Sequence, residues 1–295
     1  AAMNCPSVHV LVTTHTPRNL AGVLAGVVRQ GEPPDSLTIA SDSDDEAIGM
    51  LIAKWRPQLG AYPVRWVYRP HTGEARPSQT RNNAVRALLA DGAGSDEDFL
   101  LLLDGDMVLA DHAIGRYRAL LAKGFDEVIA FRTRLGKEET GAFDPLAYAK
   151  GMPELVVPAG QRSELRARQR RYERHLRQRS IPFTKAYNPK MIGCHHAISG
   201  RVYRAVNGYD EEFAGYASED DDFSRRVNQL RPRVRISIQV EGIPAFHLWH
   251  PIRGSASRKT GAAYQRYRRR DLPTYARYGL GNPVEQQEPA TRLIE

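Results

Sequence analysis

Two carboxylates in this chain have a spacing that suits metal binding. Asp104 and Asp106 are separated by one glycine and follow the apolar run FLLLL at 99–103. Carboxylates that flank a glycine at the end of a buried strand suit Mg²⁺ or Mn²⁺, and these ions also bind phosphate oxygens. An Asp-Gly pair is common in ordinary turns as well, so the spacing alone leaves both interpretations open.

Four consecutive acids, residues 219–222 in the stretch YASEDDDFSRR, form a second group. Adjacent carboxylates repel one another, so each needs either a partner or a chemical use. Ser218 followed three residues later by Asp221 is typical of a capped helix start, where the macrodipole stabilises acids. Helix capping explains one or two of the acids but not four. We expect Asp221 or Asp222 to pair with an arginine at 225 or 226, as one helical turn allows.

His247 and His250, in the stretch HLWHP, are a candidate pair of metal ligands. On a strand the two side chains would point to opposite faces, because positions three apart differ by an odd step, whereas on a turn they can converge. A single histidine in such a place is more often structural. The pair therefore supports a metal site near Asp106 only together with other motifs.

The elements that would position these residues alternate between strand and helix. Strands are predicted at 9–14, 37–41, 64–68, 99–103 and 127–131. Helices are predicted at 20–30, 46–55, 79–90 and 113–122, the last after an Asp111 cap. This alternation indicates an α/β fold with a single, Rossmann-like, mostly parallel sheet flanked by helices. Ligands of such sheets bind at the carboxyl ends of the strands, where Asp104 lies.

A basic helical insert interrupts the alternation. The arginine-rich stretch 161–180 predicts a helix with a thin apolar stripe at Leu165, Tyr172 and Leu176. It is either a solvated helix packed along one edge or a surface for an anionic acceptor or membrane headgroups. Regular structure is expected to resume after Cys194, with a strand at HHAIS, a helix after Ser218 and strand-like runs in VRISIQV and IPAFHLWH.

The composition of the chain excludes several classes of protein but does not identify its function. The 295 residues carry a net charge of +8 and a pI near 9.6, which favours anionic partners. No apolar run reaches the roughly 18 residues of a membrane span, and no signal pattern is visible. Two cysteines, Cys5 and Cys194, fit a reducing compartment, so we expect a cytoplasmic protein. The absence of GxGxxG and GxxxxGK[ST] motifs argues against a dinucleotide site and a P-loop.

The order of these motifs along the chain resembles that of the GT-A fold glycosyltransferases, specifically family 2 enzymes with a galactosyltransferase-type C-terminal segment. Residues 9–45 resemble the first βαβ unit of the family, PSQTRNNAVRAL at 77–88 its arginine-asparagine helix start, and FLLLLDGDMVL at 99–109 its DxD strand. The stretch 207–227 is similar to the one, shared with β-1,4-galactosyltransferases, that carries the catalytic acid. HLWH at 247–250 resembles the late metal-ligand motif.

The resemblance implies an inverting, metal-dependent transfer of a hexose or N-acetylhexosamine from a UDP-sugar to an acceptor hydroxyl, in glycan or polysaccharide biosynthesis. Asp220 matches the base that takes the proton of the acceptor hydroxyl. The implied ligands of Mn²⁺ or Mg²⁺ are Asp106, His250 and His247. Nucleotide binding is implied for Thr13, Asp42, Arg81, Asp104 and Gly105, and acceptor or donor binding for Glu219, Gly215 and Tyr216. Ala217-Ser218 stands where galactosyltransferases usually have glycines, which bears on the acceptor sugar.

The resemblance also divides the chain and suggests its partners. Residues 1–132 would bind the nucleotide-sugar, 133–190 form the basic insert, 191–262 carry the acceptor and catalytic segment, and 263–295 form a basic aromatic tail. The expected acceptor is a glycan or lipid-linked molecule, and the positive charge favours an anionic one. The basic insert also allows peripheral contact with the inner face of a membrane.

Three alternatives remain at this stage. A nucleotidyltransferase of similar fold is the first, although TTHTPRN after the first strand lacks the glycines that such enzymes usually have. A basic nucleic-acid-binding protein is the second, but no recognised nucleic-acid module is present, so no specific nucleic acid is expected. A binding subunit that has kept the GT-A fold without activity is the third.

Overall fold

The computed structural model of the protein describes residues 7–152, 154–181, 184–215, 218–251, 261–269 and 271–295. The strands are β1 (Val8–Thr14), β2 (Ser36–Ser41), β3 (Val64–Tyr68), β4 (Phe99–Asp104), β5 (Met107–Leu109), β6 (Glu127–Ile129), β7 (Thr133–Arg134), β8 (His195–Ser199), β9 (Ile236–Ile238), β10 (Ala245–His247) and β11 (Ala290–Leu293). The helices are α1 (Leu20–Val28), α2 (Glu46–Trp55), α3 (Pro77–Ala90), α4 (Ala113–Ala122), α5 (Lys137–Ala142), α6 (Pro145–Ala149), α7 (Ala159–Gln178), α8 (Gly200–Ala205), α9 (Glu219–Gln229) and α10 (Ala262–Tyr267), with a 3₁₀ turn at Arg56–Gln58.

Eight strands form the central sheet, in the order β11-β3-β2-β1-β4-β8-β6-β9. The pairs β1/β2, β1/β4, β2/β3 and β6/β9 are parallel, whereas β8 runs antiparallel to β4 and β6, and β11 runs antiparallel to β3. The predicted α/β fold with a mainly parallel sheet flanked by helices is confirmed. A second sheet, β5-β10-β7, was not predicted, because its strands have only two or three residues each.

The two faces of the central sheet have separate cores. Val10 and Val12 of β1 face one core, which contains residues of α1, α2 and α4. Leu11 faces the other, which contains residues of α3, α7, α8 and α9. Because β4 is covered on both faces, its five apolar residues 99–103 are all buried, as the uniform run FLLLL predicts.

Two predicted helix caps are wrong. The residue before α4 is His112, with a left-handed φ of 60° and no capping side-chain bond, while Asp111 pairs with Arg29 instead. Ser218 does precede α9, but its φ is 72° and its side chain caps nothing. In both places the chain enters the helix through left-handed backbone, which the pattern of residue types does not reveal.

The insert and the tail both pack on the central sheet. Leu165 and Tyr172 of α7 are buried and Leu176 is partly buried, which confirms a helix packed along one edge. Gln169 fastens α7 to the strand β9, since its amide donates to the carbonyl of Ile238 over 2.8 Å. In the tail, β11 extends the sheet at β3. The fourfold division of the chain stays a prediction.

Among the described residues, none of the helices combines the length and the apolar character that a bilayer crossing requires.

Candidate active site

The ends of β1 and β4 form the floor of the site. These strands are parallel neighbours, with Thr13 opposite Asp104, and the Thr13 hydroxyl donates to Asp104 Oδ1 over 3.2 Å. The next residue, Gly105, donates its N–H to the Thr13 carbonyl over 2.7 Å. A Cβ at Gly105 would lie 2.6 Å from the Thr14 side chain, so only glycine fits this close turn. The turn carries the chain from Asp104 to Asp106 at the rim of the sheet.

Asp106, His247 and His250 converge at this rim. Nε2 of His247 lies 3.4 Å from Asp106 Oδ2, and Nε2 of His250 lies 3.2 Å from the same oxygen. One potential ligand atom from each of the three residues lies within 4.8 Å of the others. His247 is the last residue of β10, and the chain leaves the strand before His250. The alternative in which the two histidines converge on a turn is therefore the one the structure has.

The chemistry of this cluster fits a divalent cation. Asp106 Oδ1 is buried and has no hydrogen-bond partner among the described residues. Burial lowers the pKa of His247, so its ring tends to stay neutral, as a ligand must be. The hydrogen bond to Asp106 raises the pKa of His250, which shows that this imidazole faces negative charge. Two imidazoles with one carboxylate form a ligand set that divalent transition metals accept.

Arg81 of α3 lies between α9 and the turn that joins Asp104 to Asp106. Its buried guanidinium is 3.2 Å from Asp104 Oδ1, 3.5 Å from Glu219 and 3.7 Å from Asp220. Its Cζ lies 4.9 Å from the centroid of the Tyr209 ring. Burial alone would lower the pKa of Arg81, but Tyr209 and the three carboxylates raise it well above its ordinary value. Arg81, which the resemblance implies to bind the nucleotide, therefore contacts both Asp104 and the acids at the start of α9.

The four consecutive acids of α9 have different partners. Glu219 and Asp220 face Arg81, and Asp220 Oδ2 also accepts the N–H of Gly193 over 2.9 Å. Asp221 pairs with Lys190. Asp222 is buried and accepts from Arg225 Nη2 and from Arg226 Nε, each over 2.7 Å. The expected pairing of Asp221 or Asp222 with an arginine is confirmed for Asp222.

Asp42, implied to line the nucleobase pocket, is engaged by protein donors. Oδ1 accepts from Arg76 Nε over 2.9 Å, and Oδ2 accepts from the Arg76 backbone N–H over 3.0 Å. His71 Nδ1 lies 3.2 Å from Oδ2, and Arg76 also binds Glu285 of the tail over 2.8 Å. Any nucleobase at this position would meet a carboxylate shared with Arg76 and His71.

Gly215 is the remaining implied residue that the structure describes. Gly215 has a φ of 78°, which favours glycine, and its N–H donates to the Ala75 carbonyl over 2.8 Å. Tyr216 and Ala217 lie outside the described residues. Sequence reasoning missed Arg76, Glu285, Gly193 and Lys190 as members or neighbours of the site. Of these four, only Arg76 could have been suspected from the sequence, because it directly precedes the PSQTRNN motif.

Replacing His250 with alanine is expected to weaken Mn²⁺ binding by at least about tenfold, because it removes one of three converging ligand groups. Calorimetric titration of the protein with MnCl₂, in the absence of nucleotide, measures this directly. The matched control is His112→Asn, which changes a histidine far from the cluster to a residue that tolerates left-handed backbone. Equal manganese affinity in the His250→Ala variant and the control would contradict the proposed ligand set.

Comparison with known proteins gives one family match and a shared fold. Residues 174–244 match the family described as the N-terminal domain of galactosyltransferase. This segment includes Lys190, Gly193 and all of α9. Comparison with curated proteins gives no match.

Two solved structures resemble the chain over most of its length. The mannosyltransferase PcManGT from Pyrobaculum calidifontis, in complex with GDP-Man and Mn²⁺, is 14% identical with a TM-score of 0.53 over 85% of this chain. GalNAc-T7 with UDP, GalNAc and Mn²⁺ is 15% identical with a TM-score of 0.51 over 84% of this chain. The chain spans 59% of the first and 45% of the second. At such identities the likeness shows the fold alone, and it confirms the predicted GT-A fold of the glycosyltransferases.

Proposed function

We propose that this protein is a metal-dependent, inverting glycosyltransferase that moves a hexose or N-acetylhexosamine from a UDP-sugar to an acceptor hydroxyl in glycan or polysaccharide biosynthesis. The observation that carries the proposal is the position of Arg81, whose guanidinium lies 3.2 Å from Asp104 Oδ1 and 3.7 Å from Asp220 Oδ1 of α9. The galactosyltransferase match over 174–244 supports the same assignment from the catalytic side.

The metal would be held by Asp106, His247 and His250, whose side chains already converge. Three protein ligands leave coordination positions open for phosphate oxygens. A divalent cation bound there would neutralise the charge that develops on the departing diphosphate. Manganese is the proposed ion, because imidazole ligands favour it over magnesium.

Asp220 is the proposed general base. Its Oδ2 is held by the Gly193 N–H, and its Oδ1 faces Arg81, so the carboxylate is fixed by backbone and charge rather than by a mobile side chain. The acceptor hydroxyl would give its proton to Asp220 as its oxygen attacks the anomeric carbon from the face opposite the diphosphate. Attack from that face inverts the configuration of the anomeric carbon.

Arg81 is proposed as a positioning residue. By pairing with Asp104 and lying 3.5 Å from Glu219, it compensates carboxylates that would otherwise repel one another. The pKa of Asp104 is nevertheless raised, first because the group is buried and then because Asp106 and Asp220 lie close to it, while Arg81 opposes the rise. Arg81 therefore holds the carboxylates of Asp104 and Glu219 close together beside the proposed base.

The nucleotide is proposed to lie across the ends of β1, β2 and β4. Thr13, Asp104 and Gly105 line the strand ends, and Asp42 reaches the base pocket from β2 together with Arg76. Glu219, Gly215 and Tyr216 are proposed to bind donor or acceptor hydroxyls. The choice of UDP rests on the galactosyltransferase-type segment, since the two similar structures bind different nucleotides.

Calorimetric titration with UDP, GDP, CDP and ADP, each in MnCl₂ and again in EDTA, tests the donor class. We expect UDP to bind in manganese with at least about tenfold higher affinity than the other nucleotides, and to lose most of that affinity in EDTA. Preference for another nucleotide would overturn the UDP assignment but leave the metal site. Absence of binding by all four, in a protein whose thermal unfolding is cooperative, would contradict the proposed function itself.

A further inference from the structure

Four basic residues lie on α7 and in the segment that follows it, and the last of them pairs with an acid in the first turn of α9. We define this basic track as Arg171, Arg174, Lys185 and Lys190. Arg171, Arg174 and Lys185 are exposed, and none of them forms an ion pair with a carboxylate of the described residues. The pKa of His175 is lowered, first by burial and then by the charges of these same three residues, which therefore lie near one imidazole.

The track ends beside the proposed base. Lys190 pairs with Asp221, the residue after Asp220. Burial alone would lower the pKa of Lys190, but its bond to Asp221 and the nearby charge of Asp220 raise it. Three residues further on, Gly193 donates its N–H to Asp220. The last cation of the track therefore lies next to the carboxylate that would accept the proton.

Two aromatic rings flank this end of the track. Tyr187 and Tyr267 are both partly exposed, and their ring centroids are 6.2 Å apart. The Lys185 ammonium lies 5.6 Å from the Tyr187 ring. Burial and then the charge of Asp221 raise the pKa of Tyr267, so this tyrosine lies close to the acids of α9. Tyrosine combines an apolar ring face with a polar tip, which suits contact with the faces and hydroxyls of a sugar ring.

We propose that the basic track binds an extended acidic oligosaccharide, and that the terminal sugar of this chain lies against Tyr187 and Tyr267 with its acceptor hydroxyl toward Asp220. The inference rests on the proposed function and narrows its acceptor to a glycan that carries carboxylates or other anionic groups. Arg171, Arg174 and Lys185, which have no carboxylate partner among the described residues, attract such a chain and orient it.

A flat lipid surface fits these observations less well. The side chain of Lys190 is 35% exposed and its partner Asp221 is 22% exposed, so the end of the track beside α9 is partly buried. Anionic headgroups contact residues that project from a surface, whereas a single sugar chain can also contact partly buried residues. The tyrosine pair lies at the same end, beside the acids of α9, where a sugar ring would have to lie for transfer.

Charge reversal tests the track with the full chain in the absence of donor. The probes are a galacturonate oligosaccharide and a neutral glucose oligosaccharide of the same length, titrated by calorimetry. We expect the acidic probe to bind more tightly than the neutral one, and Arg171→Glu/Arg174→Glu to weaken it by about tenfold. Lys185→Glu alone should weaken it about threefold. The matched control is Lys54→Glu/Lys123→Glu, which changes the net charge equally at exposed positions outside the track and should have less than about a twofold effect.

Several outcomes would overturn the inference. Equal affinity for both oligosaccharides would show that the protein does not select an acidic chain. Equal losses of affinity in the track variants and the control would show that binding depends on net charge alone. If phosphatidylglycerol vesicles bind the protein through Arg171 and Arg174 while the acidic oligosaccharide does not bind, the track is a lipid surface. Manganese-dependent UDP binding is measured separately on the same variants. UDP binding without oligosaccharide binding rejects the track and keeps the proposed function. Oligosaccharide binding by a protein that binds none of the four nucleotides rejects the function.

Discussion

Replacing Asp220 with asparagine is expected to lower kcat by about a thousandfold, while UDP and Mn²⁺ bind as they do to the unaltered protein. Asparagine has nearly the same shape, and its amide oxygen can still accept the Gly193 N–H that now reaches Asp220 Oδ2 over 2.9 Å. It cannot take a proton from an attacking hydroxyl. Because Arg81 keeps Asp104 and Glu219 as partners, the loss should fall on the chemical step.

The comparison with Asp221→Asn separates this role from a general effect of acidic charge. Asp221 lies one residue further along α9 and pairs with Lys190, so the same substitution there removes an equal charge. We expect kcat of that variant to fall by less than about tenfold. Steady-state transfer assays and calorimetry with UDP and MnCl₂ measure both variants. Full activity in Asp220→Asn, or a parallel loss of nucleotide binding, would refute the assignment of Asp220 as the base.

Local patterns were sufficient to predict most of the central sheet. The bounds of α2 and β3 agree with the expected ranges 46–55 and 64–68, because apolar periodicity and a following proline or glycine are local signals. The three-residue strand β5 was beyond such reasoning, whereas β10 lies within the run IPAFHLWH that was predicted to be strand-like. A strand of that length has too few residues to show alternation, and it exists here because β10 pairs with β5 and β7.

The metal cluster was predictable in identity but not in geometry. Asp106, His247 and His250 were all named from motifs, yet spacing left open whether the two histidines converge. The answer depends on the antiparallel register that places His247 opposite Met107, and on the bond from the Leu248 N–H to the Asp106 carbonyl over 2.9 Å. Both contacts join segments more than a hundred residues apart, which no local pattern contains.

The ion-pair and hydrogen-bond partners of the site residues also come from distant parts of the sequence. Nothing near Asp42 in the sequence points to Glu285, although the two are linked through Arg76. Similarly, Gly193 and Lys190 lie in the irregular segment between α7 and β8, where no periodicity marks a functional residue. Residue types in a motif indicate chemistry, but the partners that adjust their charge are set by the tertiary fold.

Arg226 supports a last, structural prediction about the four acids of α9. Arg226 and Asp222 are each 1% exposed at the side chain, and Arg226 Nη1 also donates to the carbonyls of Val206 and Gly208 over 2.7 Å. Arg226→Met keeps the apolar stem but leaves Asp222 with Arg225 alone and removes both carbonyl bonds. We expect the free energy of unfolding to fall by about 3 kcal/mol, since breaking a buried pair leaves a poorly compensated charge.

Urea unfolding monitored by circular dichroism measures this change. The matched control is Arg166→Met, which breaks an exposed pair with Glu241 and should change the free energy of unfolding by less than about 1 kcal/mol. An Arg226→Met protein as stable as the control would mean that Arg225 alone satisfies Asp222. The expected result separates the roles within one helical turn: Asp222 stabilises the fold through Arg226, and this fixed helix start in turn holds Asp220 in position for chemistry.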